Sequence, residues 1–306
     1  MNKSTKWFLA IMGILVVVGL GMTLLFLAFV SSLSTDRDRT EVISGFGDKI
    51  AVVELTGEIL SSDDIVRQFK KYRNDHSIKA ILFRVDSPGG GVVASQEIYE
   101  EVRKTREDGK PVVVSMGALA ASGGYYVSCG ASRIVANPGT LTGSIGVISE
   151  FLQVDTLLHK IGVSFNTVKS GKFKDIGNPY RRMTPDDQKF FQQLMDDVHR
   201  QFMDVVEQER NLDHDTVLAY ADGRVFTGEQ AVDMGLVDTL GTYEDAVHIA
   251  AHLAGIHGEP AIVKEHKRNA SLFDLLFGQT KIPDLLGLKN DIMNRPILQY
   301  RMESGF

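Results

Sequence analysis

A single cysteine, Cys129, stands in the whole chain. No intrachain disulfide can form, so the fold must rest on a hydrophobic core, and the scarcity of thiols says nothing of compartment. Positive charge is not in excess either: 33 Lys and Arg face 39 Asp and Glu, a net charge of −6. Lys3 and Lys6 lie ahead of everything else, so the remainder is more acidic still. A surface of that sign is wrong for phosphate backbones and excludes nucleic acid as the main partner. No Gly-Lys-Ser/Thr follows the glycine run at residues 89–91, which excludes a P-loop. His248 and His252 are four apart, but no Glu follows His248 as H-E-x-x-H requires, so the pair reads as a solvated helix face. Neither a metal nor a cofactor is expected.

Charge is missing altogether from residues 7–30, an apolar run of 24 residues. As a helix it spans roughly 36 Å, enough to cross a bilayer with some tilt. It is longer than a signal-peptide apolar core, and Ala28-Phe29-Val30 is a poor cleavage site, so it reads as a retained anchor. The short tail before it stays inside most simply, which places the rest of the chain outside the cytoplasm. The organisation expected is a stub and transmembrane anchor over 1–30, a polar linker over 31–48, one domain over 49–256 and a tail over 257–306.

Beyond the linker, short apolar runs alternate with helical patterns. Strands are expected at residues 50–55, 80–85, 111–114, 133–136 and 163–168. Helices are expected from Ser61 or Ser62 to about Tyr72, from Val92 to Arg106, and from Ala118 to about Cys129. That alternation gives an α/β fold with a parallel sheet and right-handed crossovers. The second half is helical. Thr184-Pro185-Asp186-Asp187 is a start signal, Thr227-Gly228-Glu229-Gln230 a capping box, and Thr242 with Asp245 another start. Phe190, Phe191, Leu194, Met195, Val198, Phe202, Val205 and Val206 follow at helical spacing and read as core. Small apolar clusters at Leu272–Phe277 and Leu285-Leu286 read as an appended tail that docks on a neighbour or at the membrane.

Two glycine-rich groups could carry chemistry. Gly89-Gly90-Gly91 follows a strand end, where glycines let another backbone approach and expose N–H groups. Ala120-Ala121-Ser122-Gly123-Gly124 surrounds one hydroxyl with small residues, leaving room for a carbonyl beside Ser122. Position 120 is Ala, so this is not the G-x-S-x-G elbow of α/β-hydrolases. Thr142-Gly143-Ser144 adds hydroxyls in a loop. A serine nucleophile needs a base. None of the eight histidines has a persuasive acidic partner, whereas Lys169, Lys172 and Lys174 cluster in one segment. A lysine can serve once burial lowers its pKa, and spacing does not choose among the three.

In order, Asp86-Ser87-Pro88-Gly89-Gly90-Gly91, residues 118–126, 139–147 and 170–182 resemble the signal peptide peptidase A family, membrane-anchored Ser–Lys peptidases of bacteria. The resemblance covers about residues 48–255 and the anchor. It implies a Clp protease/crotonase-type fold, Ser122 as nucleophile, Lys174 as general base, and Ser144 as the hydroxyl that orients the lysine. It also implies Gly89 as an oxyanion donor, with the Gly123 N–H as a geometric companion. The substrates implied are remnant signal peptides left in the membrane. Ser and Lys meet across subunits in that family, so a homo-oligomer with shared sites is expected. A related Ser–Lys protease acting on one partner, such as a stomatin-like protein, and a non-peptidase crotonase-type protein are the competing readings.

Overall fold

The structure is a computed structural model, and it describes residues 2–34, 40–265 and 298–302. The chain divides into two units, Met1–Glu41 with Lys264–Thr280, and Val42–Val263 with Lys281–Phe306. In the first, helix α1 (Lys3–Ser34) contains the stretch Trp7–Phe26, with a mean hydropathy of 2.6 and no burial, long and apolar enough to cross a membrane.

After α1 the chain runs in order through β1 (Thr40–Ser44), β2 (Lys49–Thr56), α2 (Asp63–Asn74), β3 (Ile78–Ser87), β4 (Gly89–Gly91), α3 (Val92–Glu107), β5 (Val112–Ala121) and α4 (Gly123–Cys129). There follow β6 (Arg133–Ala136), β7 (Leu141–Gly143), α5 (Asp155–Lys160), α6 (Pro185–Arg210), α7 (His214–Tyr220) and β8 (Val225–Thr227). The last elements are α8 (Gly228–Asp233), β9 (Thr239–Leu240), α9 (Tyr243–Leu253), β10 (Ala261–Glu265) and β11 (Gln299–Arg301).

The sheet has the order β1-β10-β2-β3-β5-β6-β9, and β2, β3, β5, β6 and β9 pair in parallel. Both faces are buried, as parallel sheets require, and alternate residues of each strand serve alternate cores. Ala51, Val53, Leu55, Ile81, Phe83 and Val85 face one core, closed by α2, α3, α4 and α6. Ile50, Val52, Ala80, Leu82 and Val113 face the other, closed by Ala246, Val247, Ala250 and Ala251 of α9. Each fully buried aliphatic side chain contributes about 1.5–3 kcal/mol, so these faces are the main source of stability. Thr184, Thr227 and Thr242 each close a capping box at the start of a helix, as the sequence indicates.

Several elements differ from the sequence reading. Residues 118–121 are the end of β5, not the start of a helix. Leu119–Ala121 pair with β7, and Asp86 Oδ1 accepts the Leu119 N–H at 3.0 Å, so the chain stays extended until Ser122. Residues 163–168 form no strand: Val168 is fully exposed, and Phe165 stacks on Tyr180 at 4.1 Å with no strand beside it. The apolar stripe of α6 is split. Phe202 and Val206 enter the core, whereas Phe190 and Phe191 pack on Phe173 and Phe151 of an arm, residues 147–184. The stretch expected as linker contains the end of α1 and β1. The stretch expected as tail contributes β10 to the sheet and β11 to the core, while Leu272–Phe277 and Leu285-Leu286 lie outside the described residues.

Candidate active site

Ser122 sits where β5 ends and α4 begins. Its φ of 53° and ψ of −115° are a strained conformation for a residue with a side chain. The surroundings hold it there. Its N–H donates to the Gly143 carbonyl at 2.8 Å, and its own carbonyl accepts the Tyr126 N–H at 2.8 Å. The residue is 1% exposed, yet its Oγ has no hydrogen-bond partner. A buried hydroxyl normally finds one, and leaving it unmade costs about 1–3 kcal/mol.

Ser144 is placed by the same ladder. Ala121 pairs with Gly143, so Ser122 and Ser144 are the residues that follow a paired position on neighbouring strands. Ser144 also has a positive φ, 51°, and its N–H donates to the Arg224 carbonyl at 2.8 Å.

The glycine run lies against this turn. Gly89 has a φ of +96°, and a Cβ on it would fall 2.6 Å from the Gly123 nitrogen and 1.9 Å from the Tyr300 carbonyl oxygen. Strand β11 is what brings Tyr300 there: it runs antiparallel to β4, with Tyr300 opposite Gly90. Met302 N–H to Pro88 O at 2.8 Å and Val92 N–H to Leu298 O at 3.2 Å bracket that pair. Between such bonds an antiparallel ladder places a pair whose N–H and C=O groups face each other, so Gly90 N–H is aimed at the Tyr300 carbonyl. Gly89 and Gly91 face the other way: Ile59 N–H donates to Gly89 O, and Gly91 N–H donates to Ile59 O, both at 2.8 Å. The Gly89 N–H itself donates to Ser87 Oγ at 3.1 Å. On its outer side β11 exchanges two bonds with Ile148, at 3.0 and 3.1 Å through Gln299. A three-residue strand thus lies in a slot between β4 and Ile148, its central carbonyl beside the Gly90 and Gly123 nitrogens.

The Tyr300 side chain is fully buried against Tyr126, at 5.1 Å between ring centroids, and Phe202, at 4.7 Å. Its hydroxyl donates to the Val198 carbonyl at 3.1 Å. The slot opens at both ends. An apolar groove of about 510 Å³ lined by Leu60, Val92, Val93 and Leu298 lies at one end, and a mixed polar groove of about 410 Å³ lined by Ser144, Ile148, Asp222 and Arg301 at the other.

The three lysines all lie on the arm, and the structure distinguishes them. Lys169 Nζ pairs with Asp175 Oδ1 at 2.6 Å, and Lys172 pairs with Asp186. Lys174 is exposed and has no acidic partner among the described residues. Arg181 grips both Asp175, at 2.9 Å, and Asp187, at 2.5 Å, tying the turn that carries Lys174 to the start of α6. Those bonds hold the Asp175 carboxyl well below the usual carboxylate range and that of Asp187 at about 2. Lys174 is not brought to Ser122 within this chain, since the Ser122 Oγ has no partner.

Other chemistry is weaker. Burial pushes the Cys129 thiol up to about 12, which makes it inert as a nucleophile. Among the described residues no group of acids, histidines and cysteines is placed to hold a metal. The sequence reading missed Gly90, Tyr300 and the two isoleucines. The one available signal was strand alternation, which lets a middle glycine face opposite to its neighbours but does not say which edge is open.

Comparison with known proteins places these features. The Peptidase family S49 model matches residues 104–257, and a Clp protease model matches residues 47–138. A putative protease of Synechocystis sp. is 48% identical over 209 residues, covering 68% of this chain and 75% of that protein. A putative protease of Methanocaldococcus jannaschii is 37% identical over 76% of this chain and 79% of its own length. A putative signal peptide peptidase SppA of Enterococcus faecium is 37% identical over 78% of this chain and 69% of its own length. The fold is thus Clp protease-like, and the chain belongs to peptidase family S49, the serine proteases.

Proposed function

We propose that this serine protease is a membrane-anchored endopeptidase that uses Ser122 and Lys174 to degrade remnant signal peptides. The observation that carries the reading is the Ser122 Oγ, buried and without a partner, beside a slot that already holds an extended strand. A nucleophile awaiting a substrate and a base has that signature. Among three lysines, Lys174 is the one free of an acidic partner among the described residues, and Asp175 is turned away to Lys169 and Arg181. An acid beside the base would oppose loss of its proton.

In the mechanism, neutral Lys174 Nζ takes the proton of Ser122 Oγ as that oxygen bonds to the substrate carbonyl carbon. The carbonyl π pair moves to its oxygen, which the Gly90 and Gly123 N–H groups receive. Gly89, the donor implied by resemblance, is engaged with Ser87, and its φ is what sets Gly90 in place. The lysine proton passes to the leaving nitrogen, the C–N bond breaks and an acyl-enzyme remains. Water then attacks the ester, losing its proton to Lys174; the bond to Ser122 Oγ breaks, that oxygen takes the proton back from Lys174, and the acid product leaves. One oxyanion donor is worth about 10²–10³ in rate. Ser144 orients the amine.

Lys174 comes from a second copy of the chain. The arm presents Leu152, Leu157, Ile161 and Val168 to solvent, an apolar surface that a neighbouring subunit would cover. The span Trp7–Phe26 holds the assembly at the bilayer, the amino terminus inside and the catalytic domain outside. There the apolar groove at Leu60 and Val93 suits hydrophobic peptides.

The test is peptide cleavage by the detergent-purified full chain, wild type beside Ser122→Ala, Lys174→Ala and Lys172→Ala. Activity lost in the first two and kept in the third is expected. An active Ser122→Ala variant overturns the reading.

A further inference from the structure

The occupant of the slot also carries information about what the site selects. With its carbonyl beside the Gly90 and Gly123 nitrogens, Tyr300 stands where a substrate contributes its acyl-side residue. Arg301 then stands first on the leaving-group side. Its side chain is only 11% exposed, and two acids from opposite walls of the slot reach it. Glu58 precedes Ile59, the wall behind β4, and its Oε1 is 3.6 Å from the guanidinium. Glu150 follows Ile148, the outer wall, and its Oε2 is 3.1 Å from the same group.

A guanidinium taken from water needs compensating charge, and two carboxylates converging on one position supply it. An empty position is less favourable for the enzyme, because two like charges then face each other without a counter-ion. Asp196 also lines the groove beyond. We propose, on the basis of the peptidase reading above, that Glu58 and Glu150 select a basic residue immediately after the cleaved bond. Arginine is preferred over lysine, since its planar fork reaches both carboxylates at once while a single ammonium is a point charge. The favoured substrate is a peptide in which an apolar or aromatic residue is followed by a cation.

The test uses the full-length chain in detergent and quenched peptides of sequence Ile-Leu-Gln-Tyr-Xaa-Met, with Xaa as Arg, Ala or Glu. Cleavage between Tyr and Xaa is read by mass spectrometry, and kcat/KM is measured for each. Competition from the chain's own β11 lowers all three values equally and cancels in their ratios. Wild type is expected to favour Arg over Ala by about tenfold, the yield of one charge-assisted hydrogen bond. In Glu58→Gln/Glu150→Gln the ratio falls towards one. In Glu58→Lys/Glu150→Lys the order inverts, with Glu favoured over Arg. Cleavage with no preference in wild type, or a preference that survives both double variants, overturns this inference alone. No cleavage of any peptide overturns the peptidase reading, and the inference with it.

Discussion

Gly89 and Gly123 approach so closely that the Gly89 position has no room for a methyl group: a Cβ there would lie 2.6 Å from the Gly123 nitrogen. The φ of +96° forbids a side chain independently. Gly89→Ala is therefore expected to lose about 1–3 kcal/mol from strain alone, several degrees in Tm. Peptide cleavage should fall at least tenfold, because the shift moves Gly90 away from the reacting carbonyl. A melting curve and an activity assay on the same preparation check both, and a variant with wild-type values in each would remove the close approach.

Ser122 combines a strained backbone with a buried hydroxyl. Ser122→Ala removes a buried hydroxyl without a partner. The expected outcome is a chain at least as stable as wild type, gaining about 1 kcal/mol, with cleavage down by 10³-fold or more. Ser122→Gly should be more stable again, since it also relieves the positive φ. Denaturant unfolding that ranked the three in the reverse order would contradict this account of the site.

A base supplied by another copy can be tested by mixing. Ser122→Ala and Lys174→Ala chains, each inactive alone, should recover partial activity when dissociated together and reassembled. Each mixed contact can unite an intact serine with an intact lysine. No recovery in a preparation shown to contain mixed assemblies would place both groups of one site on one chain.

The Arg181 clamp makes a pH prediction. Asp175 and Asp187 have folded-state pKa values below the free carboxylate value of about 3.9. Their contribution is thus complete above about pH 4 and is lost as pH falls, with Asp187 releasing near 2. Hydrogen exchange over residues 173–184 should stay protected at pH 4 and rise as pH approaches 2. Arg181→Gln should move that rise upward towards pH 4. An unchanged profile in the variant would mean that something other than the guanidinium fixes the arm.

Local signals in the sequence were sufficient where chemistry is local. The three threonine caps, the parallel strands and the small residues around Ser122 all follow from neighbours within about five positions. The failures have one origin, pairing with distant chain. Residues 118–121 look helical by composition, but β7 and the Asp86 carboxylate keep them extended. Residues 163–168 look like a strand but have no partner strand, and β-structure depends on one. Phe190 and Phe191 share a periodicity with Phe202, yet only the arm, which has no periodicity of its own, decides that they leave the core. Gln299–Arg301 is too short to register as a strand, and its place is set by distant chain, β4 about 200 residues earlier and Ile148 about 150 residues earlier.

That separation has a consequence in time. Synthesis proceeds at about 5–20 residues per second, so roughly 10–40 s pass between the appearance of β4 and that of Tyr300. Once Phe202 has emerged, the hole between it and Tyr126 has no native occupant until Tyr300 arrives about 100 residues later. Every newborn chain therefore begins life unlatched, and Gln299–Arg301 are the residues that shut it.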